Sequence, residues 1–176
     1  MTDDGSIWQC SMCGEHHHGL ATVFGPPAPE PWVEATRRQR RRGEINDDLC
    51  AFEDDAGHER YFLRGHLEIK APDLEEGQFI WSVWVELDVH GWEMTSRHWD
   101  DPDRDQLLPL PGILATDLPY TKATRGLGVR VFTRPPGVVP FVKLDRSQDH
   151  PLVDEQREGI SAHRVAELNN ELLGSR

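Results

Sequence analysis

Cysteine is scarce in this chain: three residues, Cys10, Cys13 and Cys50. An odd count with two of them in one C-x-x-C pair excludes the disulfide framework of small secreted domains and suits a reducing compartment. Basic residues are also in short supply. Lys and Arg number 19 against 31 Asp and Glu, for a formal charge of −12. Such a surface repels nucleic-acid phosphate and anionic lipid headgroups, so both are disfavoured as partners; the charge serves solubility or suits a basic protein partner. Long apolar runs are missing as well. The strongest, Phe79 to Val89, is broken by Ser82, Glu86 and Asp88, and is far shorter than the roughly 20 residues of a membrane span. The opening Met1-Thr2-Asp3-Asp4-Gly5 is acidic and no apolar segment follows. No secretory signal is read there, and a cytoplasmic location is expected. There is no Walker loop, G-x-G-x-x-G, G-x-S-x-G or H-E-x-x-H, so the common phosphate, dinucleotide, serine-hydrolase and zincin signatures are excluded.

What is present is Cys10-Ser11-Met12-Cys13-Gly14-Glu15-His16-His17-His18. A C-x-x-C turn puts two sulfurs on one metal because the backbone between them bends back, and Gly14 permits the tight turn. Thiolate and imidazole suit zinc, which takes four tetrahedral ligands in a structural site. Cys50 is the remaining thiol, and one of His16, His17 and His18 is the fourth candidate. The expected cofactor is therefore a structural zinc in a Cys₃His site. A thioredoxin-like redox pair would open a helix; here glycine and three histidines follow. If Cys50 is not a ligand, water can take the fourth position and hydrolytic chemistry opens.

With 176 residues the chain suits one domain. Residues 6–13 read as a strand entering the C-x-x-C turn, and 31–42 as a helix with Pro31 in its first turn and Gly43 as C-cap. The arginines of Arg37–Arg42 then sit at a helix C-terminus, where cations are favourable by about 0.3–1 kcal/mol. A β-rich core spans 50–145. Arg60 to Ile69 alternates, with Tyr61, Leu63, Gly65, Leu67 and Ile69 on one face, and Phe79 to Val89 continues the pattern. Glu53 to Gly57 is a hairpin loop and Asp100 to Asp105 a solvated loop. Pro109, Pro111 and Gly112 predict an irregular segment. Val129–Arg134 and Val139–Leu144 are further strands. Helices are expected near 151–158 and 161–173, the second capped by Ser161 and apolar at Val165, Leu168 and Leu172. The predicted fold class is α+β: a mainly antiparallel sheet, a zinc-knuckle-like turn and helix over 6–50, and C-terminal helices over 150–174.

His150-Pro151-Leu152-Val153-Asp154-Glu155 sets an imidazole beside carboxylates at a helix start. It reads either as an acid/base pair or as a tether for the helix, with the carboxylates placed where negative charge is favourable. Arg64 and His66 flank Gly65 on a strand and read as a sheet-surface ion pair or a catalytic cation. Trp81, Trp84, Trp92 and Trp99 are core residues, or line a ligand pocket or a protein interface.

The combined pattern resembles a bacterial family known as domain of unknown function 2199. The resemblance rests on Cys10-x-x-Cys13-Gly14-x-x-His17, Asp48-x-Cys50, Tyr61-Phe62-x-Arg64-Gly65, Trp81-x-Val83-Trp84-Val85, Leu118-Pro119-Tyr120, and His150-Pro151-Leu152-x-x-Glu155-Gln156-x-x-Gly159-Ile160. Ala21 departs from it, where proline is expected after Gly19-Leu20. The resemblance implies His17 as the histidine that accompanies the cysteines, a single domain of cytosolic bacterial origin, and a shared scaffold or surface at Arg64-Gly65 and the His150 segment. It implies no activity. Two functions follow from these features. The first is a non-enzymatic, zinc-stabilised module that binds a basic protein, as an adaptor or toxin-neutralising protein. The alternative is a metal- or His-dependent hydrolase, which requires a pocket joining His150, Arg64 and a carboxylate such as Glu155. A weaker third is nucleic-acid binding through the knuckle and Arg37–Arg42.

Overall fold

The long alternating stretch of the sequence becomes two strands, β6 (Glu59–Lys70) and β7 (Gln78–Leu87), paired antiparallel from Tyr61↔Leu87 to Lys70↔Gln78. A computed structural model describes residues 8–9, 16–17 and 19–174, with side chains for residue 16 and from 19 onward. Ahead of β6 lie β1 (Trp8–Gln9), β2 (His16–His17), β3 (Val23–Phe24), α1 (Glu30–Glu34), α2 (Arg37–Arg42), β4 (Glu44–Ile45) and β5 (Leu49–Glu53). After β7 come α3 (Val89–Arg97), a single 3₁₀ turn (Arg104–Gln106), β8 (Leu110–Leu114), β9 (Gly128–Phe132), β10 (Phe141–Leu144), α4 (Pro151–Glu158) and α5 (Ala162–Leu173).

Strands β6, β7, β8, β9 and β10 pair in order, each antiparallel to the last, and β10 returns to β6. An up-and-down ring with an odd number of strands must close with two strands running the same way. The closing pair is accordingly parallel, at Phe141↔His66. The expected antiparallel sheet is thus a five-stranded barrel, with β5, β4 and β3 as extensions. Gly65 sits at the closure, where a Cβ would lie 2.3 Å from Val142 Cγ2. The fold is single-domain α+β.

The period-2 pattern sorts into two cores. Leu63, Leu67, Ile69, Phe79, Trp81, Val83 and Val85 join residues of β8–β10, and of α4 and α5 (Leu152, Val153, Val165, Leu168), in one buried cluster. On the other face Cys50, Phe52, Phe62, Trp84, Ala35 and Ala115 form a second, covered by Trp32. Removing these side chains from water drives the fold at about 25 cal/mol per Å².

Three local expectations are corrected. The helix predicted over 31–42 is two helices, because Thr36 takes extended backbone and forms a reciprocal capping box with Gln39. Arg40 folds back on the end of the first, donating to Val33 O (2.6 Å) and Ala35 O (3.1 Å). The strand predicted to Val89 stops at Leu87, since Asp88 caps α3 by accepting from Gly91 N at 2.7 Å. The segment around Pro111 is strand rather than irregular. Pro111 falls one residue beyond the last pair with β7 (Leu87↔Gly112), so its missing N–H costs no bond there. Of the strand predicted over 6–13, Trp8–Gln9 is described and pairs with His16–His17. The two C-terminal helices lie as predicted, with Ser161 accepting from Arg164 N. Among the described residues no helix is long and apolar enough to cross a membrane.

Candidate functional site

The proposed metal ligands divide. Cys10 and Cys13 lie outside the described residues, as does His18, and His17 is described by its backbone alone, opposite Trp8. Cys50 is on β5, 1% exposed, among aromatic side chains, and burial pushes its thiol up to about 12. A groove of about 590 Å³ runs beside it, bordered by Trp32, Arg40, Ile45 and Trp92. Among the described residues no group of three or more His, Cys, Asp or Glu is arranged to hold a metal.

His150 and Glu155 meet at Tyr120. His150 is buried and caps α4: its Nδ1 accepts from Leu152 N (3.0 Å), so the tautomer carries the proton on Nε2, which faces Lys122 O at 3.2 Å. Both ring nitrogens are thereby committed to backbone. The Tyr120 hydroxyl donates to Glu155 Oε2 (2.5 Å) and accepts from Trp81 Nε1 (3.2 Å). Arg164 Nε donates to the other carboxylate oxygen at 2.9 Å, and its guanidinium lies over the Tyr120 ring. Burial first, then the Glu155 charge, raises the Tyr120 pKa, keeping the phenol a donor. This network ties β7, the loop before β9, α4 and α5 together, and its polar atoms are occupied by one another.

Arg64 stands elsewhere, on the outer face of β6. It pairs with Asp48 Oδ1 (2.9 Å) and reaches Ser82 Oγ (3.4 Å), and its buried Nε has no hydrogen-bond partner among the described residues. The cavity beside it, about 130 Å³, is bordered by Asp48, Trp99, Arg104 and Val138 rather than His150. The structure therefore joins His150 to Glu155 and separates both from Arg64.

That small cavity leads to a feature the sequence reading passed over. Arg104 sits inside the run read as a solvated loop, yet it is 4% exposed. Its Nε donates to Arg134 O (2.5 Å), Nη1 to Trp99 O (2.8 Å), and Nη2 to Pro135 O (3.2 Å) and Val138 O (3.1 Å). The guanidinium stacks on Trp99 at 4.7 Å, and Thr133 Oγ1 donates to the Arg104 carbonyl. A buried cation holds its place when its donors are satisfied. This one clamps two backbone segments about 30 residues apart in the chain, as the Arg104–Arg134 bond shows. At the loop's start Asp101 is held below the usual carboxylate range, mainly by the His98 hydrogen bond. Asp100, Asp103 and Asp105 are exposed and form no ion pair among the described residues. Leu108, at the end of the loop, is 85% exposed, and Val138 beside the clamp is exposed too. The available signal was one arginine isolated between Asp103 and Asp105 in an acidic run; its partners lie too far along the chain for a local reading.

Comparison with curated proteins and with solved structures gave no match. Comparison with protein families gave a match over residues 9–160 to one described as "Uncharacterized protein conserved in bacteria (DUF2199)". The matched stretch contains Cys10, Cys13, His17, Cys50, Arg64, Arg104, Tyr120, His150 and Glu155, and the chain therefore belongs to the bacterial domain of unknown function 2199 family.

Proposed function

We propose that this protein is a non-enzymatic, cytoplasmic binding module that docks a basic protein through the loop from Asp100 to Leu108. The observation that carries the reading is the buried Arg104. Four charge-assisted hydrogen bonds hold a loop whose outward side chains include Asp100, Asp103, Asp105 and Leu108. A loop that only had to be soluble needs no such anchor. A preorganised epitope avoids an ordering cost of about 0.5–1.5 kcal/mol per immobilised side chain on binding. Its carboxylates steer a cationic partner and its exposed leucine supplies apolar contact. An adaptor or a toxin-neutralising protein uses a surface of this kind. The commitment of His150 and Glu155 to the scaffold favours binding over catalysis.

The same proposal includes a structural zinc held by Cys10, Cys13, His17 and Cys50. It is supported by donor chemistry and by the antiparallel pairing of Trp8–Gln9 with His16–His17, the residues that flank Cys10 and Cys13 in the sequence. In Cys50 the site would recruit a thiol that burial otherwise keeps protonated, so metal binding would release its proton.

The test is affinity purification of the tagged protein from its native cells beside an Asp100→Lys, Asp103→Lys, Asp105→Lys variant. A basic protein recovered with the wild type at low salt, released as salt rises and missing with the variant, supports the reading. Equal recovery by both proteins refutes it.

A further inference from the structure

Against the acidic background, one cleft is basic. Where β10 closes onto β6 the two strands share a single pair, Phe141↔His66. Beyond it α4 leans against both, and Gln156 completes the β10 backbone: its Nε2 donates to Val142 O (2.9 Å) and its Oε1 accepts from Leu144 N (2.8 Å). The splay leaves a cleft of about 370 Å³, within the range of small-molecule pockets. Phe141, half-buried, is the apolar side chain at its side, and Ile69, Leu144 and Val153 lie behind it in the core.

Four cations border this cleft: Lys70, Lys143, Arg146 and Arg157. Arg130 stands opposite Lys143 in the β9–β10 register and adds a fifth nearby. Arg157 is paired with Asp154 and Glu158. Lys70, Lys143 and Arg146 form no ion pair among the described residues. Glu68, the carboxylate on the wall, is committed to Arg134 at 2.5 Å. Asp154 and Glu158 offset Arg157, and Asp145 acts on Arg130, so the cations left uncompensated at the cleft are Lys70, Lys143 and Arg146. Gathering like charges around a concavity costs repulsion, which a bound anion offsets.

We propose that this cleft binds a phosphorylated small molecule. The phosphomonoester dianion would sit among Lys143, Arg146 and Lys70, with the organic part against the Phe141 ring. A terminal phosphate presents three oxygens to converging donors, whereas a carboxylate is satisfied by one bidentate arginine. The half-buried Phe141 ring gives an organic phosphate an advantage over the inorganic ion. The proposal is independent of the acidic loop and survives its failure.

The test is titration of the full chain with phenyl phosphate, inorganic phosphate and benzyl alcohol, followed by amide chemical shifts. Phenyl phosphate is expected to bind saturably with Kd of about 1 mM or tighter, and inorganic phosphate at least about tenfold more weakly. Benzyl alcohol gives no saturable shift. Shifts are expected at Lys70, Gln78, Lys143 and Arg146. Lys143→Glu with Arg146→Glu weakens phenyl phosphate at least about tenfold, while Arg37→Glu with Arg38→Glu, distant on α2, leaves it unchanged. Circular dichroism confirms that both double variants are folded. Absence of saturable phenyl phosphate binding overturns the proposal. So does equal affinity for inorganic phosphate, or equal weakening by the α2 variant.

Discussion

Replacing Arg104 is the perturbation whose effect follows most directly from the geometry. In Arg104→Ala the carbonyls of Trp99, Arg134, Pro135 and Val138 lose their donor together, and Trp99 loses its stacked cation. Hydrogen bonds to charged groups are worth about 1.5–3 kcal/mol each, but they do not add, and water can enter a vacated surface site. A loss of about 4 kcal/mol is therefore expected, within the range for breaking a buried charged contact. In a domain of this size that lowers Tm by about 8–16 °C. Arg104→Lys keeps the charge but cannot span carbonyls on two segments with one ammonium group; about half the loss is expected. Thermal and urea unfolding followed by circular dichroism measure both. Amide exchange locates the damage, which should concentrate over 98–108 and 133–139. If Arg104→Ala stays within about 1 kcal/mol of wild type and exchange in those segments is unchanged, the clamp is not an anchor.

Further outcomes follow from the barrel closure, a half-buried imidazole and the proposed metal. Gly65→Ala drives a methyl into Val142 and should cost about 1–3 kcal/mol; in a double-mutant cycle with Val142→Ala the coupling should be favourable, and strict additivity would contradict the close contact. The His66 pKa is lowered, first by burial and then by Arg64. The unfolded chain thus binds more protons there, and stability from this group is lost as pH falls below about 6.5. Urea unfolding at pH 7 and pH 5 should show a smaller acid loss in His66→Gln than in wild type, and identical losses would contradict it. Protein purified without chelator should contain about one zinc per chain and lose folded signal on strong chelation. Less than about half an equivalent refutes the metal, and a full equivalent in Cys50→Ser removes Cys50 from the ligand set.

The parts of the fold that were legible are those whose signal is local. The alternation of β6 and β7, and the capped helices α4 and α5, each carry their pattern within one element. The break between α1 and α2 was also encoded, as Thr36 and Gln39 in capping-box spacing, but the arginine run and Gly43 suggested one continuous helix. Val89 continued the strand period, so Asp88 was not read as a cap. Barrel closure depends on one pair between residues 66 and 141, which no window of sequence contains. The same holds for Arg104, whose acceptors are brought to it by the β9–β10 connection. His150 was correctly suspected of tethering its helix, while Tyr120, which joins it to Glu155, came into view only through the fold.

Docking of a basic partner on the Arg104-held loop, as proposed, would bring that partner within reach of Leu108. Site-specific photo-crosslinking in native cells, with the reactive residue at Leu108 or, as a remote control, at exposed Leu173 on α5, tests it most directly. One dominant adduct, of a basic protein, is expected from Leu108, abolished by charge reversal at Asp100, Asp103 and Asp105 and missing from Leu173. No specific adduct from Leu108, or the same adduct from both positions, would contradict it.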